Sequence, residues 1–236
     1  MTATETRSSS VRAALRRAVG APLRVQTYTN LAYLLLAFPL GTIYFTGFVT
    51  GAALGIGLLI TLIGLPILVA TLAATSMAAA LEARLATALV GVDASAPAAL
   101  REFDVDSGLV MPGNGFLAAV ERVLLSPSTY TSVVLVLSKF VFGIVSLIAV
   151  VVSASVSIVA MAAPAVYEGD SSGITLGGEA TDQYTVGSWV IDTMPEALLV
   201  AAGGAVFLIV ALNALNLLAW LQAQYTARLL DVDGAE

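Results

Sequence analysis

The chain has no cysteine and no histidine in its 236 residues. Those two absences exclude disulfide staples, thiolate and imidazole metal sites, thiol redox centres and every Ser-His or Cys-His nucleophile together. Charge is scarce as well, at 11% of residues against roughly a quarter in an ordinary soluble domain. Lysine occurs once, and nine arginines supply the rest of the basic charge. Ten basic residues against sixteen acidic ones leave a net charge of -6 and a pI near 4.6. This argues against a nucleic-acid partner, because a phosphate-binding face needs clustered, exposed Lys and Arg. An Arg-dominated basic set with an acidic excess would also suit a high-salt environment.

What is present is apolar: 58% of residues are hydrophobic and mean hydropathy is +0.94. From Asn30 to Leu81 there is no Asp, Glu, Lys or Arg. That run is over twice the ~20 apolar residues one helix needs to cross a bilayer, so it must fold back. The expected reversal is at Thr50-Gly51, where glycine tolerates turn dihedrals. It gives a first span at about 30–49 and a second at about 52–77. Gly64 and Pro66 then fall mid-span as a helix kink or hinge. A third apolar run goes from Thr131 to about Ala163 and a fourth from about Ala197 to Leu221, and the helical period of spans two and four continues past Leu81 and Leu221.

Four crossings place both termini on one side of the membrane. Arg7, Arg12, Arg16, Arg17 and Arg24 precede the first span, Arg84, Arg101 and Arg122 lie between the second and third, and Arg228 follows the fourth. The positive-inside rule therefore predicts a plasma-membrane protein with both termini cytoplasmic. The outer loop at 164–195 carries no basic residue. Val11–Val19 and Phe116–Leu125 read as amphipathic helices on the membrane surface.

Thr27-Tyr28-Thr29 opens the first apolar run and Thr129-Tyr130-Thr131 the third, an offset of 102 that also matches Leu35 with Leu137, Phe38 with Phe140 and Gly41 with Gly143. At the far ends Ala79-Ala80-Leu81-Glu82-Ala83 matches Ala219-Trp220-Leu221-Gln222-Ala223 at an offset of 140. Two related two-span units running in the same sense are predicted. The organisation is a basic segment at 1–26, a first unit at 27–93, a connector at 94–128 and a second unit at 129–233 that contains the outer loop. The fold class is an all-α integral membrane protein of four transmembrane helices in two duplicated hairpins, with juxtamembrane amphipathic helices and a small extracellular loop.

The run Tyr33-Leu34-Leu35-Leu36-Ala37-Phe38-Pro39-Leu40-Gly41, followed by Gly55-Ile56-Gly57 and Thr61-Leu62-Ile63-Gly64-Leu65-Pro66, resembles a multi-pass membrane sensor domain family. Leu89-Val90-Gly91-Val92 and Met194-Pro195-Glu196-Ala197-Leu198 add to the resemblance, which spans about Tyr28 to Val232. Members occur ahead of histidine kinases in high-GC Gram-positive bacteria and free-standing in halophilic archaea. The resemblance implies signal perception and brings no catalytic or ligand residues with it.

Two candidate sites follow from the residues. Lys139 is the one charge deep in a span, and Asn213 and Asn216 can share its depth. An intramembrane cation is costly and marks function when carboxamides or backbone carbonyls hold it, although a lysine can also snorkel to the surface. With no carboxylate expected in a span centre, exchange of Lys139 for Met is expected to alter signalling or partner binding without unfolding the protein. The outer loop is the other site. Glu168, Asp170, Glu179, Asp182 and Asp192 could perceive a cation or an external molecule, or simply solvate a linker. Ile174–Leu176 and Tyr184–Val186 suggest a small hairpin there, with Trp189 at the interface. Gly47, Gly51 and Gly55 recur every four residues and are assigned to the reversal. No catalytic residue, cofactor or metal is expected. The function read from the sequence is a sensor or regulatory module that passes a stimulus to a kinase, regulator or membrane complex, or works as a homo-oligomer. An accessory subunit of a larger membrane complex and a small transporter are the alternatives.

Overall fold

The long uncharged run does fold back, but later than its glycines suggest. The computed structural model describes residues 19–94, 127–167, 175–176, 184–187 and 189–231. Its apolar segments form α1 (Val25–Gly57), α2 (Gly64–Leu85), α3 (Pro127–Val166) and α4 (Met194–Asp231). Among the described residues, these four are the helices long and apolar enough to cross a membrane. At most 28% of the most apolar stretch of any of them is buried inside the protein, so the rest needs hydrocarbon around it. The chain is a multi-pass helical membrane protein. The expected amphipathic segments 11–19 and 116–125 lie almost wholly outside the described residues, as do Glu168, Asp170, Glu179 and Asp182.

The reversal between α1 and α2 occupies 58–63, not Thr50-Gly51. There the Thr61 N–H (3.0 Å), the Thr61 hydroxyl (2.7 Å) and the Gly64 N–H (3.1 Å) all donate to the Leu58 carbonyl, and Leu62 adopts φ 61°. Ile60 and Leu62 are 95% and 82% exposed, so the turn is apolar in composition. Gly64 is required, because a Cβ there would collide with the Gly55 carbonyl oxygen. Gly51 and Gly55 have a different task from the expected one: their bare faces meet the side chains of Thr71 and Leu68, so they let α1 and α2 touch.

Two corrections follow. Gly64 and Pro66 sit at the start of α2 instead of mid-span, and a proline in a first turn removes no internal helical bond. The later start also carries helical backbone through Leu85 and a wider π-helical turn at Ala86–Val90, which Gly91 ends at φ 76°. Glu82, beyond the expected span at about 52–77, is in the last turn of α2. Helical backbone continues past Leu81 and Leu221 as their apolar period predicts, as far as Val90 and Asp231.

The chain divides into two compact units, 28–147 with 218–236 and 1–27 with 148–217. In the first, Ala79 and Ala83 of α2 pack with Leu135 of α3 and Leu230 of α4. In the second, a three-stranded sheet of β1 (Thr175–Leu176), β2 (Thr185–Val186) and β3 (Trp189–Val190) covers the facing ends of α3 and α4 through Tyr184, Ile191, Ala163 and Ala197. The expected hairpin partner of β2 is wrong. β1 runs parallel to β2, and the tight hairpin joins β2 to β3 through Gly187 at φ 63°. The Tyr184 hydroxyl donates to the Val159 carbonyl at 2.8 Å, and its burial raises its pKa. At the start of α4 the Glu196 carboxylate accepts the backbone N–H groups of Asp192 (3.1 Å) and Thr193 (3.2 Å), which the helix itself leaves unpaired.

Candidate functional site

Helices α1 and α3 cross with their backbones in contact, and two glycines make this possible. A Cβ on Gly41 would stand 2.7 Å from the Lys139 carbonyl oxygen and 2.9 Å from the Phe140 Cα. A Cβ on Gly143 would stand 2.5 Å from the Ala37 carbonyl oxygen and 2.8 Å from the Phe38 Cα. The contacts are reciprocal. Gly41 meets Lys139 and Phe140, and Gly143 meets Ala37 and Phe38, so two triplets related by the offset of 102 face each other crosswise. Phe140 also stacks on Phe45 at 4.5 Å.

This crossing leaves Lys139 no route to the surface. Its side chain is 3% exposed, and its Nζ lies 2.6 Å from Glu82 Oε2 of α2. The same ammonium donates to the Tyr33 hydroxyl of α1 at 3.1 Å and stands 4.2 Å from the centre of the Tyr33 ring. Tyr33 and Glu82 are each 1% exposed. Ala79 and Ala83 bring α2 close enough for this, since small side chains on the face that carries Glu82 let it approach Leu135 of α3. The pair is neutral as a whole, as burial demands. Its saturation is incomplete: among the described residues the buried Glu82 Oε1 has no hydrogen-bond partner.

Glu82 and Tyr33 are the members of this cluster that the sequence reading missed: Glu82 lies in the last turn of α2, away from the span centre, and still reaches Lys139. One signal for it was present. Glu82 matches Gln222 at the offset of 140, and Gln222 is likewise buried on α4, donating to Ser146 Oγ of α3 at 2.6 Å. Lys139 and Ser146 are seven residues apart, two turns along α3. A charged clasp from α2 and a neutral clasp from α4 thus hold one stripe of the same helix.

The two asparagines grouped with Lys139 make other bonds. Asn213 donates to the Ile209 carbonyl of its own helix at 2.7 Å, and Asn216 donates to the Thr27 hydroxyl at 3.1 Å. Of the five outer-loop carboxylates, Asp192 is described and is exposed. A model of the family described as "Putative sensor" matches residues 33–230, which include every member of the clasp. No curated protein and no solved structure matches the chain.

Proposed function

The chain belongs to that sensor family, and we propose that it perceives an external or intramembrane stimulus and passes it to a separate cytoplasmic or membrane partner, without catalytic activity of its own. The observation that carries this reading is the pair of clasps on α3. A buried ion pair is strong at contact distance and costly once separated, so α2 has a discrete preferred register on α3 rather than a continuum. A stimulus that favours a second register would displace the end of α2 relative to the end of α4. Such a shift needs a ligand or a bilayer state with different affinity for the two arrangements. The reciprocal Gly41 and Gly143 contacts support a chain built from two copies of one two-helix unit, with Glu82 and Gln222 as the diverged equivalents.

Spin labels on Arg84→Cys and Arg228→Cys test the two-register reading, because both positions are exposed near the ends of α2 and α4. The expected result is two distance populations whose ratio changes when Lys139 and Glu82 are both made apolar. One unchanged population in both chains would sink the reading.

We read both termini as cytoplasmic, in the plasma membrane, on the strength of the nine arginines. The cysteine-free chain permits a direct check. In intact cells a membrane-impermeant thiol reagent should label Asp192→Cys and spare Arg84→Cys and Arg228→Cys until the membrane is opened. Labelling of the arginine positions first would invert the topology.

A further inference from the structure

The two related helix pairs differ at one equivalent position. The offset of 102 that carries α1 onto α3 takes Tyr44 to Ser146, and the offset of 140 that carries α2 onto α4 takes Glu82 to Gln222. Burial follows the same offsets. Leu34 and Val136 are both buried, as are Ala83 and Ala223, whereas Tyr28 and Tyr130 are both exposed. Between α3 and α4 the pair is joined, since Gln222 Nε2 donates to Ser146 Oγ at 2.6 Å. Between α1 and α2 it is not. Among the described residues the Tyr44 hydroxyl and Glu82 Oε1 are buried and have no hydrogen-bond partner. Each orphan carries its own desolvation cost, and one bond between them would remove both.

The backbone sets the two side chains within reach of each other. Gly51 meets Thr71 and Gly55 meets Leu68, so in this antiparallel pair Tyr44 stands level with Ala78, and Glu82 lies one turn further along α2, ~6 Å at 1.5 Å per residue. Helical side chains lean toward the N-terminus of their own helix. In antiparallel helices those leanings oppose, and here they turn Tyr44 toward the level of Glu82 and Glu82 toward the level of Tyr44. What separates them is open space. Beyond the contacts at Gly51 and Gly55 the helices bound a cleft of about 800 Å³, lined by Tyr44, Ala78 and Leu81 among others. Gly47 also lines it, and a Cβ added there would meet nothing within 4 Å. Pro39, inside α1 between Tyr33 and Tyr44, removes one helical hydrogen bond and lets the helix bend there. Lys139 holds Glu82 through Oε2, which leaves Oε1 to accept from a second donor without separating the ion pair.

We infer that α1 and α2 close on this cleft, and that the closed form is held by the Tyr44 hydroxyl donating to Glu82 Oε1, as the counterpart of the bond between Gln222 and Ser146. The direction of the bond reverses between the two pairs, because a carboxylate can only accept. Tyr44 is then a positioning residue, and the structure described is the open form of a hairpin whose equivalent is already joined. This goes beyond the two-register reading, which concerns α2 on α3, and adds a movement of α1 against α2.

The test uses the full chain in phosphatidylcholine nanodiscs with spin labels at Ile43→Cys and Met77→Cys, which are exposed and stand on opposite walls of the cleft. Two distance populations are expected, the shorter being the closed form. Tyr44→Phe keeps the ring and removes the donor, and should lower the shorter population about ten-fold relative to the longer, in line with one lost hydrogen bond to a charged acceptor. Gly47→Phe should abolish it by wedging the cleft, whereas Gly203→Phe, at another glycine with open space around it, should leave the ratio unchanged. In infrared difference spectra against Glu82→Gln, the Glu82 carboxylate stretch should shift on Tyr44→Phe, which a purely steric role of the ring would not produce. A single population in the parent chain, a shorter population that survives Tyr44→Phe, or an unmoved carboxylate stretch would overturn the proposal. This label pair reads α1 against α2 and the Arg84 and Arg228 pair reads α2 against α4, so either reading can fail while the other stands.

Discussion

Lys139→Met alone is expected to lower the stability of the protein by about 3–5 kcal/mol, and Lys139→Met combined with Glu82→Leu to restore it to within about 1 kcal/mol of the parent or above. The asymmetry arises because the single exchange strands a carboxylate that is 1% exposed, whereas the double exchange leaves an apolar contact in its place. Unfolding of the purified protein in mixed micelles of rising denaturing-detergent content measures all four corners of the cycle. If the double variant loses the sum of the two single losses, the residues do not act as a pair. This outcome differs from the one expected from the sequence, in which Lys139→Met alters signalling or partner binding without unfolding the protein. The difference lies in the partner, a carboxylate where the sequence suggests carboxamides or backbone carbonyls.

Gly41→Leu and Gly143→Leu should each cost at least the ~1–3 kcal/mol of an overpacked core, and should cost similar amounts. At both positions the new Cβ meets backbone atoms of the opposite helix, 2.7 Å and 2.5 Å from a carbonyl oxygen, and backbone cannot rotate away as a side chain can. Separating α1 from α3 also pulls Tyr33 from Lys139, so the loss should couple to that of Lys139→Met in a double-variant cycle. Gly47→Leu is the control, because nothing lies within 4 Å of an added Cβ there, and it should change stability by less than about 0.5 kcal/mol. The same detergent titration decides the matter. A large loss at Gly47 with none at Gly41 would contradict the crossing.

One turn lies later in the chain than its glycines suggest. Gly51 looked like a reversal because glycine permits turn dihedrals, but in α1 it serves close contact with Thr71, while the chain reverses through Leu58–Ile63. A turn made mostly of leucine and isoleucine lacks the clustered polar, glycine and proline residues by which turns are read from sequence. The continued helical period past Leu81 places Glu82 on a helix, but which face of α2 it occupies, and hence that it meets Lys139, is not legible in that period. The outer sheet went similarly: the strand-forming pieces were legible at Thr175–Leu176 and Thr185–Val186, but their parallel pairing depends on a hairpin with Trp189–Val190 that alternation in such short pieces cannot announce.

By itself the sequence determined that four helices would carry the chain through hydrocarbon, because span length and apolar content are local properties of each segment. It also singled out Lys139 as the charge in need of an explanation. The tertiary structure alone decided what that explanation is. Whether residue 139 meets residue 82 depends on where the chain turns, how α2 is rotated, and how closely Gly41 and Gly143 let α1 and α3 approach, and none of these is fixed by the residues of any one helix.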